Sequence, residues 1–184
     1  MKKPVFVLIF SVILVLSACS RSPDAGELAL RLREDFAAAQ SLKLTAAVRA
    51  DYGERVYDFE LSYEKTEGGA TVTILAPESV AGISARVGED GLTLEYNEAE
   101  VYTGALTDDG LSPAEALPLA VDAWAGGLLT SARVESGLLI CEYFISESVA
   151  LVSNFDAETL VPVSAELISG GYRTLIMEFG DVVM

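Results

Sequence analysis

Residues 55–65 read RVYDFELSYEK, and the alternation in this stretch decides the fold class. Tyr57, Phe59, Leu61 and Tyr63 fall on one side of an extended chain, while Asp58, Glu60, Ser62 and Glu64 fall on the other. A period of two is that of a β-strand with one covered face and one wet face. Upstream, Leu42, Leu44, Ala46 and Val48 alternate in the same way, and Asp51-Tyr52-Gly53-Glu54 supplies the turn between the two runs. Downstream, Glu67-Gly68-Gly69 turns the chain into residues 70–76. Three strands joined by tight turns begin an antiparallel meander, which characteristically buries only one face.

The pattern continues past Pro77-Glu78-Ser79 with short strands at 83–87, 92–96 and 100–103. Five more follow at 132–135, 138–145, 149–154, 161–169 and 172–179, separated by Ser136-Gly137, Asp156-Ala157-Glu158 and Gly170-Gly171. Two segments have helical periodicity instead. In residues 24–40, Leu28, Leu32 and Phe36 form one apolar stripe, with Asp24 as N-cap and Glu27 in capping-box position. In residues 113–125, Ser112-Pro113-Ala114-Glu115 signals a start and Gly126-Gly127 a stop, with Pro118 expected to kink the helix or delay its start. Only Glu115 and Asp122 are charged in that second segment. A helix apolar over most of its circumference must be enclosed, and the concave side of the sheet is the place for it. The expectation is an α+β domain: a large antiparallel sheet of about eleven strands, curved into an incomplete barrel around an apolar helix, with an amphipathic helix at the N-terminus.

The first residues carry an address. Met1-Lys2-Lys3 is a basic start, and Pro4 to Leu16 is an uncharged apolar run of 13 residues. That is short of the roughly 20 residues needed to span a bilayer as a helix, and it suits a signal-peptide core. It ends in Leu16-Ser17-Ala18-Cys19, which resembles the bacterial lipobox: an apolar residue, two small residues and a cysteine whose thiol accepts diacylglycerol. The division expected is a lipoprotein signal peptide at 1–18, a lipidated cysteine (palmitate among its acyl chains) with a short tether at 19–23, and one domain at 24–184. Acyl chains gain about 0.8 kcal/mol per buried methylene, so two or three would hold the protein on a membrane and place it outside the cytoplasm.

Charge and composition exclude much else. The 184 residues contain 28 Asp plus Glu, 12 Lys plus Arg and no His, a net charge of -16. Removing 18 residues, two of them lysines, leaves 166 residues with 28 acidic and 10 basic side chains, net -18. Nucleic-acid binding depends on cations displacing phosphate counterions, so it is not expected. Without histidine, catalytic triads and His-ligated zinc are ruled out. No phosphate loop, CxxC pair or GxSxG elbow occurs. Thr107-Asp108-Asp109-Gly110 lacks the spacing of a calcium loop, and Asp58, Glu60 and Glu64 read as the wet side of a strand rather than a glycosidase pair. The reading is non-enzymatic, with no cofactor and no metal. Cys141, in the apolar stretch LLICEYFI, reads as a buried, unreactive thiol.

The order of elements, with Gly88-Glu89-Asp90-Gly91-Leu92-Thr93-Leu94-Glu95-Tyr96, residues 154–163 and Tyr172 to Phe179, resembles the LolA/LolB lipoprotein-localisation superfamily. The resemblance implies an incomplete antiparallel barrel wrapped around helices, with a hydrophobic cavity between them. It also implies an arginine that closes the cavity, for which Arg49 is the candidate. The superfamily includes carriers of acylated glycolipids and germination lipoproteins that bind a cell-wall enzyme.

Tyr57, Phe59, Leu61, Tyr63, Leu117, Val121, Trp124, Tyr143 and Ile145 are then the residues that would line a cavity, or fill a core, between sheet and helix. Two functions follow for a membrane-anchored envelope lipoprotein. Its half-barrel binds an acyl chain or lipidated ligand, or it is a regulatory or scaffold domain that binds a cell-wall enzyme or membrane protein without lipid cargo.

Overall fold

The computed structural model describes residues 24–88, 91–104, 106 and 111–184. Cys19 and the lipobox, Glu89-Asp90 and Thr107 to Gly110 therefore lie outside the described residues. Two helices, α1 (Ala25–Ala38) and α2 (Pro113–Gly126), accompany eleven strands. The first six are β1 (Leu42–Asp51), β2 (Val56–Thr66), β3 (Gly69–Ala76), β4 (Ser84–Gly88), β5 (Gly91–Tyr96) and β6 (Ala99–Gly104). After α2 come β7 (Leu128–Glu135), β8 (Leu138–Phe144), β9 (Val149–Asp156), β10 (Pro162–Ser169) and β11 (Tyr172–Val183).

All the strands belong to one sheet of order β6-β5-β4-β3-β2-β1-β11-β10-β9-β8-β7, antiparallel throughout. Every pairing joins strands consecutive in the chain except β1 with β11, which brings the two ends of the domain together at the sheet's centre. β6 and β7 are consecutive strands placed at opposite edges, so the sheet does not close, and α2 bridges them across the concave face.

Alternation sets which side chains face the helices. In β1, Leu42, Leu44, Ala46, Val48 and Ala50 are all buried and their neighbours point outward. The register carries that face into β2, with Leu44 opposite Tyr63 and Ala46 opposite Leu61, and into β11, with Val48 opposite Met177 and Ala50 opposite Leu175. α1 lays Leu28, Ala29, Leu32 and Phe36 against it. α2 is enclosed as its composition requires, burying Ala116, Leu117, Pro118, Ala120, Val121, Ala123 and Trp124.

The two helix starts follow their sequence signals unequally. At α2 Ser112 caps the helix: the Glu115 amide donates to Ser112 Oγ at 3.3 Å and the Ser112 hydroxyl donates to Glu115 Oε2 at 2.7 Å. At α1 the Asp24 side chain makes no capping bond, and backbone bonding with burial of Leu28 holds the first turn. Pro118 does not delay α2, which starts at Pro113 and runs through it. Burial of the Pro118 ring in the core offsets the loss of one amide donor. At the other end, a β-carbon on Gly127 would stand 2.7 Å from the Ala123 carbonyl oxygen, so only glycine lets the chain leave the helix directly into β7. That exit starts β7 at Leu128, four residues before the stretch its sequence pattern marks.

Trp124 is the centre of the core. Its ring meets Phe36 of α1 at 5.1 Å, Phe155 of β9 at 5.3 Å and Phe179 of β11 at 5.3 Å, each edge to face. Its indole N–H donates to Ser153 Oγ at 2.8 Å, satisfying the one polar group the ring brings inside. Outside, Asp156 Oδ1 accepts from the amides of Glu158 and Thr159 and from the Thr159 hydroxyl at 2.8 to 3.0 Å, shaping the β9–β10 turn. These donors hold the Asp156 carboxyl below the usual carboxylate range.

Trp124→Ala should cost about 3–5 kcal/mol in urea unfolding, and Ser153→Ala about 1–3 kcal/mol through the orphaned indole N–H. For Asp156 the folded-state pKa lies below the unfolded one, so its contribution is present above the ordinary carboxylate range and is lost as pH falls through the folded value. Thermal melts at falling pH should show this loss, and Asp156→Asn should flatten that acid limb.

Candidate functional site

The residues expected to line a cavity do not all share one environment. Leu61, Leu117, Val121 and Trp124 are at most 1% exposed, and Tyr63 and Tyr143 at most 4%. They belong to one continuous packed cluster, with Phe59 and Ile145 at its margin. Tyr57, though on the same face of β2, is 42% exposed, because α2 does not cover that end of the strand. Tyr57 stacks instead between Tyr52 at 6.3 Å and Phe59 at 6.4 Å, and the Tyr52 hydroxyl donates to the Leu111 carbonyl at 2.9 Å, just before α2. Burial pushes the Tyr63 and Tyr143 hydroxyls well above the usual tyrosine range, which keeps them neutral.

Two openings adjoin this core. One, of about 300 Å³, lies between α1 and the start of β7, lined by Ala29, Leu30, Trp124, Leu129 and Tyr143, with Arg33 at hand. The Arg33 guanidinium donates to the Gly126 carbonyl at 2.8 Å, a cation placed at the C-terminal end of α2. The other, of about 440 Å³, lies where α2 passes the β2–β3 turn and gathers Tyr63, Lys65, Pro118 and Asp122. Desolvation raises the Asp122 pKa, and the nearby Lys65 charge opposes that rise.

A third, wider concavity is on the other side of the sheet. A groove of about 900 Å³ is lined by Arg49, Asp51, Tyr52 and Gly53 from the β1–β2 hairpin and by Ser169, Tyr172, Arg173, Thr174 and Ile176 from the β10–β11 hairpin. Two guanidinium groups therefore flank an apolar floor in a chain of strongly negative charge. Arg49 pairs with Asp58 at 3.3 Å and Arg173 with Glu166 at 3.2 Å, both arginines more than half exposed. Exposed pairs of this kind contribute about 0–1 kcal/mol, so they exchange readily for a partner's carboxylates. Tyr172 beside them is 80% exposed.

An open antiparallel sheet curved around two helices, with the bridging helix buried in its concave side, is the architecture that the sequence resemblance implies. The fold is an open antiparallel half-barrel around a buried helix. No protein-family model and no curated protein sequence matches the chain. Among solved structures, an uncharacterized conserved protein from Thermus thermophilus superposes with TM-score 0.50 at 10% identity, over 88% of this chain and 90% of that one. A LolA superfamily protein from Nitrosomonas europaea gives TM-score 0.43 at 13% identity, over 86% and 92%. A chain of the complex between the CwlD amidase from Clostridioides difficile and the GerS lipoprotein gives TM-score 0.48 at 15% identity, over 90% and 98%.

Within this half-barrel Arg49 does not close the interior. It sits on the outer face of β1 between the buried Val48 and Ala50, half exposed and paired with Asp58. Sequence reading finds the strand but not the groove, whose two hairpins are distant in the chain. The signal available is a tyrosine beside each of two glycine turns, at Tyr52-Gly53 and Gly171-Tyr172. Asp58 and Glu64, on the wet side of β2, pair with Arg49 and Lys43, the latter at 2.8 Å. Among the described residues no group of three or more Cys, Asp or Glu side chains is placed to hold a metal ion.

Cys141 is fully buried, and burial raises its thiol pKa to about 11, with hydrogen bonding to Tyr143 opposing the rise. A thiol-specific chromophore at neutral pH should leave Cys141 unmodified in the folded domain and react at once after urea unfolding. Rapid reaction of the folded domain would contradict that placement.

Proposed function

We propose that this protein is an extracytoplasmic lipoprotein, held on a membrane by acyl chains on Cys19, whose half-barrel is a non-enzymatic docking module for an envelope protein. The observation that carries this reading is the packed interior. Trp124, with Phe36, Phe155 and Phe179 around it, occupies the space between helices and sheet where a carrier of this architecture would hold an acyl chain. Interiors packed in this way gain from contact among their own side chains and lose when a guest displaces them.

The outer groove is then the docking surface. Its arginines suit a carboxylate-bearing partner segment, with Ile176 and the tyrosines supplying apolar contact. A second reading, a lipid-binding half-barrel, is favoured by the 300 Å³ opening beside Trp124 and Tyr143. Native mass spectrometry of protein purified without its signal peptide separates the two, since a co-purifying lipid mass supports the second.

For the docking reading, a photo-cross-linker at Ile176 should capture a defined partner on intact cells that the same group at Val134 does not. Arg173→Glu should weaken that partner's binding roughly tenfold, about 1.4 kcal/mol. Equal capture from both positions would count against the groove. Cys19→Ala should release the protein from membranes or stop its processing.

A further inference from the structure

The strands alternate in direction, so the turns fall into two sets at opposite ends of the half-barrel. At one end lie the β1–β2, β3–β4, β5–β6, β8–β9 and β10–β11 connections and the start of β7. At the other lie the β2–β3, β7–β8 and β9–β10 turns. The exposed aromatic side chains are divided unevenly between them. Tyr52 and Tyr57, Tyr96, Phe144 and Tyr172 all stand at the first end, joined by Leu128, and each is between 42% and 80% exposed. The opposite turns carry Glu67, Glu135, Asp156 and Glu158. That end exposes Val134, Val161, Val163, Val183 and Met184, and among the described residues no exposed aromatic side chain stands at its turns. Tyr102, the remaining exposed aromatic residue, lies within the edge strand β6.

The chain enters the fold at the aromatic end. Gly26 and Leu30 of α1 adjoin Gly127 and Leu129 at the start of β7, and Leu30 is itself 57% exposed. Only Ser20 to Pro23 separate Cys19 from Asp24, a reach of under about 20 Å at roughly 3.5 Å per residue.

We infer that this aromatic end seats on the lipid bilayer, with the tyrosines and Phe144 at headgroup depth and the opposite turns, which lack exposed aromatic side chains, pointing away. The inference rests on the lipid anchor at Cys19 proposed above, and it adds an orientation that the anchor alone does not impose. The tether is too short for the far end of the domain to reach the membrane without the near end being there first. Tyrosine, with an apolar ring and a polar tip, is enriched at the level where hydrocarbon meets water. The same end carries Arg55 and Arg173 but also Asp51, Glu54, Glu78, Glu98 and Glu147, so the seat is apolar rather than electrostatic. Salt, which screens the repulsion between these acids and anionic headgroups, does not weaken it. Tyr52 and Tyr172 line the outer groove as well, so a partner docking there is met at the membrane surface.

The test uses the mature lipidated protein in vesicles of phosphatidylethanolamine and phosphatidylglycerol. An environment-sensitive fluorophore is placed in turn on Tyr172→Cys, Phe144→Cys and Ser136→Cys, with Cys141 buried and unlabelled. Quenching by nitroxide-bearing lipids should be about threefold or more greater at 172 and 144 than at 136, and not reduced in high salt. Equal quenching at the three positions, on protein whose mass includes the diacylglyceryl group, overturns the seat and leaves the anchor standing. Protein lacking that mass overturns the anchor, and the seat with it. Loss of the 172 and 144 signals at high salt overturns the apolar account of the seat.

Discussion

Three rings meeting around Trp124 connect parts of the chain that have no other reason to be neighbours. Phe36 comes from the first helix, Phe155 and Ser153 from β9, and Phe179 from the last strand, while Trp124 itself ends the helix that bridges the two edges of the sheet. An eleven-stranded sheet left open must be curved by something on its concave side. Here that something is α2, and the indole, through its bond to Ser153, fixes where along the sheet the helix rests. Because the interior is filled by these side chains, the openings described above are peripheral, and the groove of about 900 Å³ faces outward.

Much of this is legible in the chain itself. The period-two runs announce the strands, and the nearly uncharged helix at residues 113–125 announces its own burial. What alternation cannot convey is how far a covering element extends. Tyr57, Phe59, Leu61 and Tyr63 share one face and are indistinguishable by period, yet exposure falls from Tyr57 to the fully buried Leu61 because α2 crosses only part of the strand. Capping shows the same limit. Ser112 and Asp24 carry the same local signal, and only Ser112 makes the bond.

The groove is illegible for a different reason. Arg49 and Arg173 lie far apart in the chain and become neighbours only because β1 pairs with β11, a contact no hairpin predicts. Local reading can mark an arginine on the wet side of a strand but cannot say which second strand will lie beside it. Likewise the two sets of turns acquire meaning only once the order of strands assigns each to an end. Side chains that look like scattered surface tyrosines in the sequence then form a rim.

The β1–β11 seam has a consequence in time. The first strand made and the last strand made occupy the middle of the sheet side by side, and everything else hangs from them in two wings. Each wing can pair by local hairpins as it emerges, but the centre waits for residues 172–183, the last of the strands. Contacts so distant in sequence slow folding. A chain threaded through a membrane from its N-terminus would thus remain unassembled at its core until its end had crossed, a delay that favours export over premature folding.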